Sequence, residues 1–246
     1  MIVLWLSFAG YSLRENKKPF IANLEVTLRR DIMNHDGHEI DYLKLFCDAL
    51  VMRDMSDSVK VVVFLDWLCD YLRYDRSWYI YKKNGGQQER DFNWEQAITD
   101  KKTVCAGYAQ LLCAMCETQN IDCRYVSGYA FTLDNVKTNV SIRTAYLSEY
   151  FSLYFDRHAW CVITYKDGNS HLVDPTWIDN LENYEYYQTD PFRFIQSHYP
   201  DDSLYQLIYP PVTLNELISG NIKKIRKMHE VVKNINTQIF CTRNFK

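Results

Sequence analysis

Three residues of this sequence are of the types, and in the order, that thiol-based group transfer uses. Cys105 directly precedes a segment with apolar residues at helical spacing, His158 begins a strand-like run, and Asp174 lies near the end of the next run. The N–H groups and dipole of a helix N-terminus stabilise a thiolate, and the same groups form part of an oxyanion hole. Nucleophile, base and orienting carboxylate are the three roles of a Cys-His-Asp triad. The alternative is structural: a buried cysteine, a core histidine and an aspartate that starts a turn before Pro175.

The two strand-like runs, "HAWCVITY" and "SHLVDPTW", flank "KDGN" and predict a β-hairpin. A symmetric turn in this segment pairs Asp174 with Cys161, three positions from His158. A contact between Asp174 and His158 therefore requires an asymmetric loop or a bulge in the hairpin.

The other elements are predicted from apolar periodicity and capping residues. "DSVKVVVFLDWLCDYLRYD" predicts a helix that Asp57 or Ser58 caps, and Thr103 is a candidate cap for the helix after Cys105. "CRYVSGYAF" reads as a strand. Helices thus precede a central helix, strands and a helical tail, which predicts an α+β fold.

The remaining cysteines include a C-x-x-C pair, Cys113 and Cys116, among eight cysteines in total. No second C-x-x-C and no H-x(3–5)-H follows at the spacing of a zinc site. The surrounding sequence has the pattern of a helix interior, so these two thiols are predicted to be buried as small hydrophobic groups. The sequence predicts neither a metal nor a cofactor.

Charge and hydropathy limit the partners and the location. The net charge of -3 and pI near 6.1 argue against a nucleic-acid-binding surface. No apolar run has the eighteen residues that a membrane span requires. The start, "MIVLWLSFAG", lacks a preceding basic residue and reads as a first strand or helix, although it leaves export open. Reduced thiols and a cytoplasmic location are therefore predicted, with the oligomeric state undetermined.

Several motifs together resemble one known family. They are "TVCAGYAQLLCAMCETQNIDCRYVSGYA", "HAWCVITYKDGNSHLVDPTW", the preceding "FLDWLCDYLRYD" and the downstream "YYQTDPFRFIQSHYPDDSLYQLIYPPVTLNEL". The set resembles the transglutaminase-like superfamily of papain-like cysteine proteases and acyltransferases, and most of all its kyphoscoliosis-peptidase-like members. The connection 131–157 is longer than the usual link in this family, and is interpreted as a lid, a wall of a groove or a surface insertion.

This resemblance implies a fold, a domain organisation and a set of roles. It implies a papain-like core in which the helix that presents the cysteine packs on an antiparallel sheet. It also implies that residues 57–218 form the catalytic domain. Outside the range of the resemblance, the residue pattern predicts a helical extension over 1–56 packed on the core and a helical tail over 219–246. Cys105 is then the nucleophile, His158 the general base and acid, and Asp174 the residue that orients His158.

The implied reaction is acyl transfer on amide bonds of a protein or peptide substrate through a thioester. Peptide-bond hydrolysis is favoured because the resemblance leans toward the peptidase-like branch. The alternatives are a transglutaminase, in which an amine replaces water, and an inactive interaction scaffold. Around the triad, Gly107 would allow close packing beneath the nucleophile, Trp160 and Trp177 are interpreted as core residues, and His198 as a structural hydrogen-bonding residue. Trp94 is a candidate oxyanion donor.

Overall fold

The structure, a computed structural model, describes residues 20–131, 155–182, 184–219 and 226–227. We number the α-helices in chain order, and their bounds are α1 (20–32), α2 (Glu39–Leu50), α3 (Asp57–Tyr71), α4 (Arg76–Lys83), α5 (Trp94–Asp100), α6 (Cys105–Thr118), α7 (Pro175–Leu181), α8 (Pro191–Phe194) and α9 (Leu214–Ser219). The strands are β1 (Arg73–Tyr74), β2 (Lys102–Thr103), β3 (Asp122–Phe131), β4 (Phe155–Thr164), β5 (Ser170–Val173), β6 (Tyr187–Thr189) and β7 (His198–Pro200).

The chain divides into two compact units. The first comprises residues 1–126 and 159–188, and the second comprises 127–158 and 189–246. The apolar core of the first unit is formed by α1 to α3, α5 and α6, together with parts of β4, β5 and α7. Apolar residues from α1 and α2 belong to this core, and the division into a helical extension, a catalytic domain and a tail remains a proposal.

The caps of the two longest helices differ from the sequence-based predictions. The cap of α3 is Ser56, whose Oγ accepts a hydrogen bond from the Val59 N–H at 3.4 Å, so the helix begins one residue after the cap, at Asp57. The predicted cap of α6, Thr103, lies instead in β2 and is buried, and the N-cap position is taken by Val104. The prediction for α6 was wrong because Thr103 pairs in a short β-ladder and is not available to the helix.

The sheet confirms the predicted α+β fold with an antiparallel sheet. Its strand order is β6-β5-β4-β3-β7, and both β4 with β5 and β3 with β7 pair antiparallel. Helix α6 packs on this sheet within the first unit, where the Cys161 thiol of β4 donates to the Ala109 carbonyl at 3.4 Å. The strand predicted from "CRYVSGYAF" corresponds to β3.

The β4–β5 hairpin has an asymmetric loop. Its register pairs Cys161 with Val173 and Thr164 with Ser170, and Gly168 closes the loop with a φ of 80°. A glycine in this left-handed conformation is typical of three-residue hairpin loops. The register is shifted by one residue from the symmetric arrangement. If the register is continued one residue beyond the Cys161–Val173 pair, Asp174 lies opposite Trp160 instead of Cys161.

Some predictions fall on residues that the structure does not describe. They are the apolar N-terminal stretch, most of the connection 131–157 and most of the tail 219–246. Within the described parts of the chain, no helix is both long and apolar enough to cross a bilayer.

Candidate active site

Cys105 is the first residue of α6 and is partly exposed. The first hydrogen bonds of the helix run from the Gly107 and Tyr108 N–H groups to the Val104 carbonyl, at 3.0 and 3.2 Å. The N–H groups of Cys105 and Ala106 precede these bonds, at the end of the helix where the dipole is positive. The position thus has the electrostatics that stabilise a thiolate or an oxyanion.

A short parallel ladder fixes the chain immediately before Cys105. Strand β2 pairs with β1, Tyr74 opposite Thr103, and the Asp75 N–H donates to the Thr103 carbonyl at 2.7 Å. The Asp75 carboxylate is buried and accepts from Lys102 at 2.9 Å and from Arg90 at 3.0 Å. This carboxylate therefore joins both sides of the ladder that leads into α6.

Gly107 occupies a position where no side chain fits. A Cβ atom there would lie 2.0 Å from Thr103 Oγ1 and 2.9 Å from Thr103 Cβ. Thr103 is itself buried, so it has little room to move away. The absence of a side chain lets the first turn of α6 lie directly against β2, in agreement with the close packing expected from the sequence.

Two helices of the first unit, α6 and α7, are joined by a buried tyrosine. The hydroxyl of Tyr108, one turn after Cys105, donates to Asp179 Oδ2 of α7 at 2.5 Å. Burial is the largest cause that raises the pKa of Tyr108, followed by the hydrogen bond to Asp179. Since α7 begins directly after Asp174, this bond connects the helix of the predicted nucleophile to the helix that follows the predicted orienting acid.

Asp174 is completely buried and acts as the N-cap of α7. Its Oδ1 accepts hydrogen bonds from the N–H groups of Thr176 and Trp177, at 2.9 and 3.0 Å. Its own N–H donates to the Tyr186 carbonyl at 3.0 Å. The predicted strand over "SHLVDPTW" therefore ends at Val173, because Asp174 and Pro175 begin a helix, as a capping aspartate followed by proline favours.

The second unit contains the other predicted triad member, His158. This half-buried residue of β4 has its ring centroid 5.5 Å from that of His198 in β7. The preceding residue, Arg157, forms a bidentate ion pair with Asp201, in which each guanidinium Nη donates to one carboxylate oxygen at 2.7 Å. Asp201 also accepts a hydrogen bond from Ser127 Oγ at 2.8 Å. Asp201 thereby links residues of β3 and β4 to the segment after β7.

His198 is fully buried, and its environment agrees with the predicted structural hydrogen bonding. Its Nδ1 lies 2.8 Å from Ser197 Oγ, and its ring stacks on Phe194 with centroids 4.1 Å apart. Its closeness to His158 was not predicted, because the two residues are forty positions apart in sequence and lie on strands that β3 separates in the sheet.

The tryptophans and the remaining cysteines that the sequence analysis named also have defined positions in the structure. Trp160 and Trp177 are buried, as predicted. Trp94 begins α5 and, like Cys105, packs against the core of the first unit; its role as an oxyanion donor stays a prediction. All seven cysteines within the described residues are free thiols.

The family model of the transglutaminase-like superfamily matches residues 16–191, a range that includes Cys105, His158 and Asp174. The chain belongs to the transglutaminase-like superfamily.

Individual relatives agree with this assignment. The chain is 32% identical over 181 residues to the kyphoscoliosis peptidases of Mus musculus and Homo sapiens. Each match covers 68% of this chain and 24% of the relative, so the chain spans about a quarter of the length of these curated relatives.

Two solved structures are also similar to this transglutaminase-like chain. One is a proposed cysteine protease from Cytophaga hutchinsonii, with 23% identity, a TM-score of 0.40, and coverage of 59% of this chain and 40% of that one. The other is described as a TGase, with 16% identity, a TM-score of 0.37, and coverage of 70% and 37%.

Proposed function

We propose that this transglutaminase-like chain is a cysteine peptidase that cleaves amide bonds through a thioester on Cys105. The β4–β5 register is the observation that carries this proposal. It places Asp174 opposite Trp160, and His158 is two residues from Trp160 along the same strand. Asp174 lies one position beyond β5, but its backbone is still extended, with φ -112° and ψ 98°. Since alternate residues of an extended chain share a face, Asp174 and His158 both belong to the Trp160 face of the hairpin. The proposed triad is therefore Cys105, His158 and Asp174.

The proposed reaction has two halves. The Cys105 thiolate attacks the carbonyl carbon of the substrate amide, and His158 gives its proton to the departing amine, which leaves a thioester. His158 then takes a proton from water, whose oxygen attacks the thioester, and the acid product and the thiolate are released. The N–H groups at the start of α6 stabilise the oxyanion in both halves. Hydrolysis is favoured over amine transfer because both curated relatives carry the name peptidase.

The test is the alkylation rate of each cysteine by iodoacetamide at a pH of about 6, where ordinary thiols are protonated. Peptide mass spectrometry follows every cysteine separately in the wild type and in His158→Ala. We expect Cys105 to react at least tenfold faster than the other cysteines, and to lose that advantage in His158→Ala. Buried Cys47, whose pKa burial raises to about 12, is an internal control for an unactivated thiol.

Turnover is measured on a peptide mixture in the presence of a fluorescent primary amine. New amino termini that disappear in Cys105→Ala support hydrolysis, whereas Cys105-dependent incorporation of the amine would identify a transglutaminase instead. If Cys105 reacts no faster than the other partly exposed thiols in either protein, the cysteine is not activated and the catalytic proposal is wrong. A non-catalytic scaffold would then account for the family membership.

A further inference from the structure

Three cysteines from separate parts of the chain converge within the first unit. Cys113 lies in α6, Cys123 in β3 and Cys161 in β4. The Sγ of Cys113 is 3.3 Å from that of Cys123 and 3.8 Å from that of Cys161. All three sulfur atoms lie within 4.8 Å of one another. We call these three residues the thiol cluster.

A fourth cysteine is adjacent to the thiol cluster. Cys116 follows Cys113 by three residues on α6, so the two occupy neighbouring positions on the helix surface. Cys116 is completely buried, and it is one of the side chains that interact with the Cys123 thiol. The C-x-x-C pair of α6 therefore faces the same region as the cysteines of β3 and β4.

The thiol cluster lies against the apolar core, with one thiol buried and two partly buried. Cys161 is completely buried, and Cys113 and Cys123 pack against the core residues around it. A single buried cysteine behaves as a small hydrophobic group. Three mutually adjacent sulfur atoms with a fourth nearby instead match the donor set of structural sites for soft metal ions.

The sulfur separations fit a tetrahedral thiolate site. A Zn–S bond of about 2.3 Å corresponds to sulfur atoms about 3.8 Å apart in a tetrahedron. The Sγ atoms of Cys113 and Cys161 are 3.8 Å apart, and those of Cys113 and Cys123 are 3.3 Å apart. The first separation equals the tetrahedral value, and the second is shorter than it.

We propose that Cys113, Cys123 and Cys161 bind a zinc ion, with Cys116 as the fourth ligand. Such an ion crosslinks the middle of α6 to β3 and β4, about two turns beyond Cys105. Its function is structural, since four protein thiolates leave no open position for a substrate. The site is independent of the proposed peptidase reaction. The sequence alone indicated no zinc site because the second pair of ligands is distributed over two strands and does not form another short motif.

The test uses the full chain with Cys105→Ala, which removes the partly exposed thiol of the proposed active site as a competing metal ligand. The protein is purified under reducing conditions, treated with a chelator and titrated with Co²⁺, whose tetrahedral thiolate complexes have characteristic charge-transfer and d–d absorption. We expect one equivalent of Co²⁺ to bind with this spectrum and Zn²⁺ to displace it. Zn²⁺ should also raise the melting temperature, because it binds the folded state.

Three variants in the same background assign the ligands. Cys161→Ala and Cys123→Ala should each weaken Co²⁺ binding at least tenfold and remove the tetrahedral spectrum. Cys47→Ala is the matched control: Cys47 is equally buried in the same core but lies outside the thiol cluster, so its loss should leave the spectrum unchanged. Circular dichroism establishes whether each variant is folded. If one of the two ligand variants does not fold, the other alone is enough to test the assignment.

Three results would overturn the zinc proposal. One is the absence of any thiolate–cobalt absorption at stoichiometric metal. Another is a spectrum that Cys161→Ala and Cys123→Ala leave unchanged. The third is an intact mass two hydrogens lower, with Cys113 joined to Cys123, in the protein isolated without reductant, since that result would identify the cluster as a disulfide-forming pair.

Discussion

At the residue scale, Asp174 has one observed role, as the cap of α7, and one proposed role, the orientation of His158. Oδ1 caps α7 through the N–H groups of Thr176 and Trp177. The proposed second role, the orientation of His158, requires a negative charge at the same buried position. An aspartate can serve both, because a cap needs only an acceptor and an imidazolium needs an anion.

Substitutions of Asp174 should therefore affect stability and catalysis differently. Asp174→Asn keeps an amide oxygen for the cap, so the free energy of unfolding should change little, whereas turnover should fall by about 100-fold or more. Asp174→Ala removes both functions and should also lose about 1–2 kcal/mol of stability. Urea unfolding and peptide turnover are measured for both variants. Equal turnover of Asp174→Asn and the wild type would contradict the proposed orienting role.

The sequence singled out candidate residues by their types, but it gave no indication of the side-chain contacts around them. Cys105, His158 and Asp174 were chosen because their types and order match a known chemistry. Tyr108 and Asp179, which bond α6 to α7, gave no such signal. A tyrosine at an apolar helical position is indistinguishable in sequence from any other core aromatic, and its partner is 71 residues away.

At the scale of elements, the start of α6 depends on its fit against β2. Helix α6 has no side-chain hydrogen bond at its N-cap residue, so its first turn is fixed by packing and by the β1–β2 ladder. At Gly107 the two elements lie so close that a Cβ atom would overlap Thr103. The position of Cys105, two residues before Gly107, depends on this contact.

Gly107→Ala should displace the first turn of α6. The added methyl group cannot be accommodated 2.0 Å from Thr103 Oγ1, so we expect a loss of about 1–3 kcal/mol in the free energy of unfolding and slower alkylation of Cys105 at acidic pH. The double variant Thr103→Ala/Gly107→Ala should recover part of both losses, since it removes two of the three overlapping atoms. Ala109→Gly is a helix control. Strictly additive losses in the double variant would mean that the overlap is not the cause.

Helices and strands were predictable here to the extent that local pattern determines them. The apolar periodicity of α3 and α6 and the alternation in β3 were sufficient to identify these elements. The cap of α6 and the end of β5 were not, because Thr103 pairs with β1 and Asp174 caps a helix instead of continuing a strand. The register of the β4–β5 hairpin also depends on one left-handed residue, Gly168, whose position in the loop the sequence left ambiguous.

At the scale of the whole molecule, one buried carboxylate connects distant parts of the first unit. Asp75 accepts from Ser77 and from the Trp78 N–H, which caps α4, and pairs with Lys102 and Arg90. Burial alone would raise its pKa, but these hydrogen bonds and the Lys102 charge hold the pKa well below its usual range. An acid whose pKa is lower in the folded state adds stability above its unfolded pKa, and that stability is lost as the pH falls.

Asp75→Asn should therefore destabilise the chain in a pH-dependent manner. The amide keeps an acceptor for the cap of α4 but loses the ion pairs, so we expect a loss of about 1–3 kcal/mol at a pH of about 7. The difference from the wild type should persist to a pH of about 5 and narrow below a pH of about 4, as Asp75 of the unfolded wild type becomes protonated. Urea unfolding at these pH values measures it, with exposed Asp54→Asn as the control. A difference that stays constant down to a pH of about 2 would show that the charge of Asp75 is not the source of the stability.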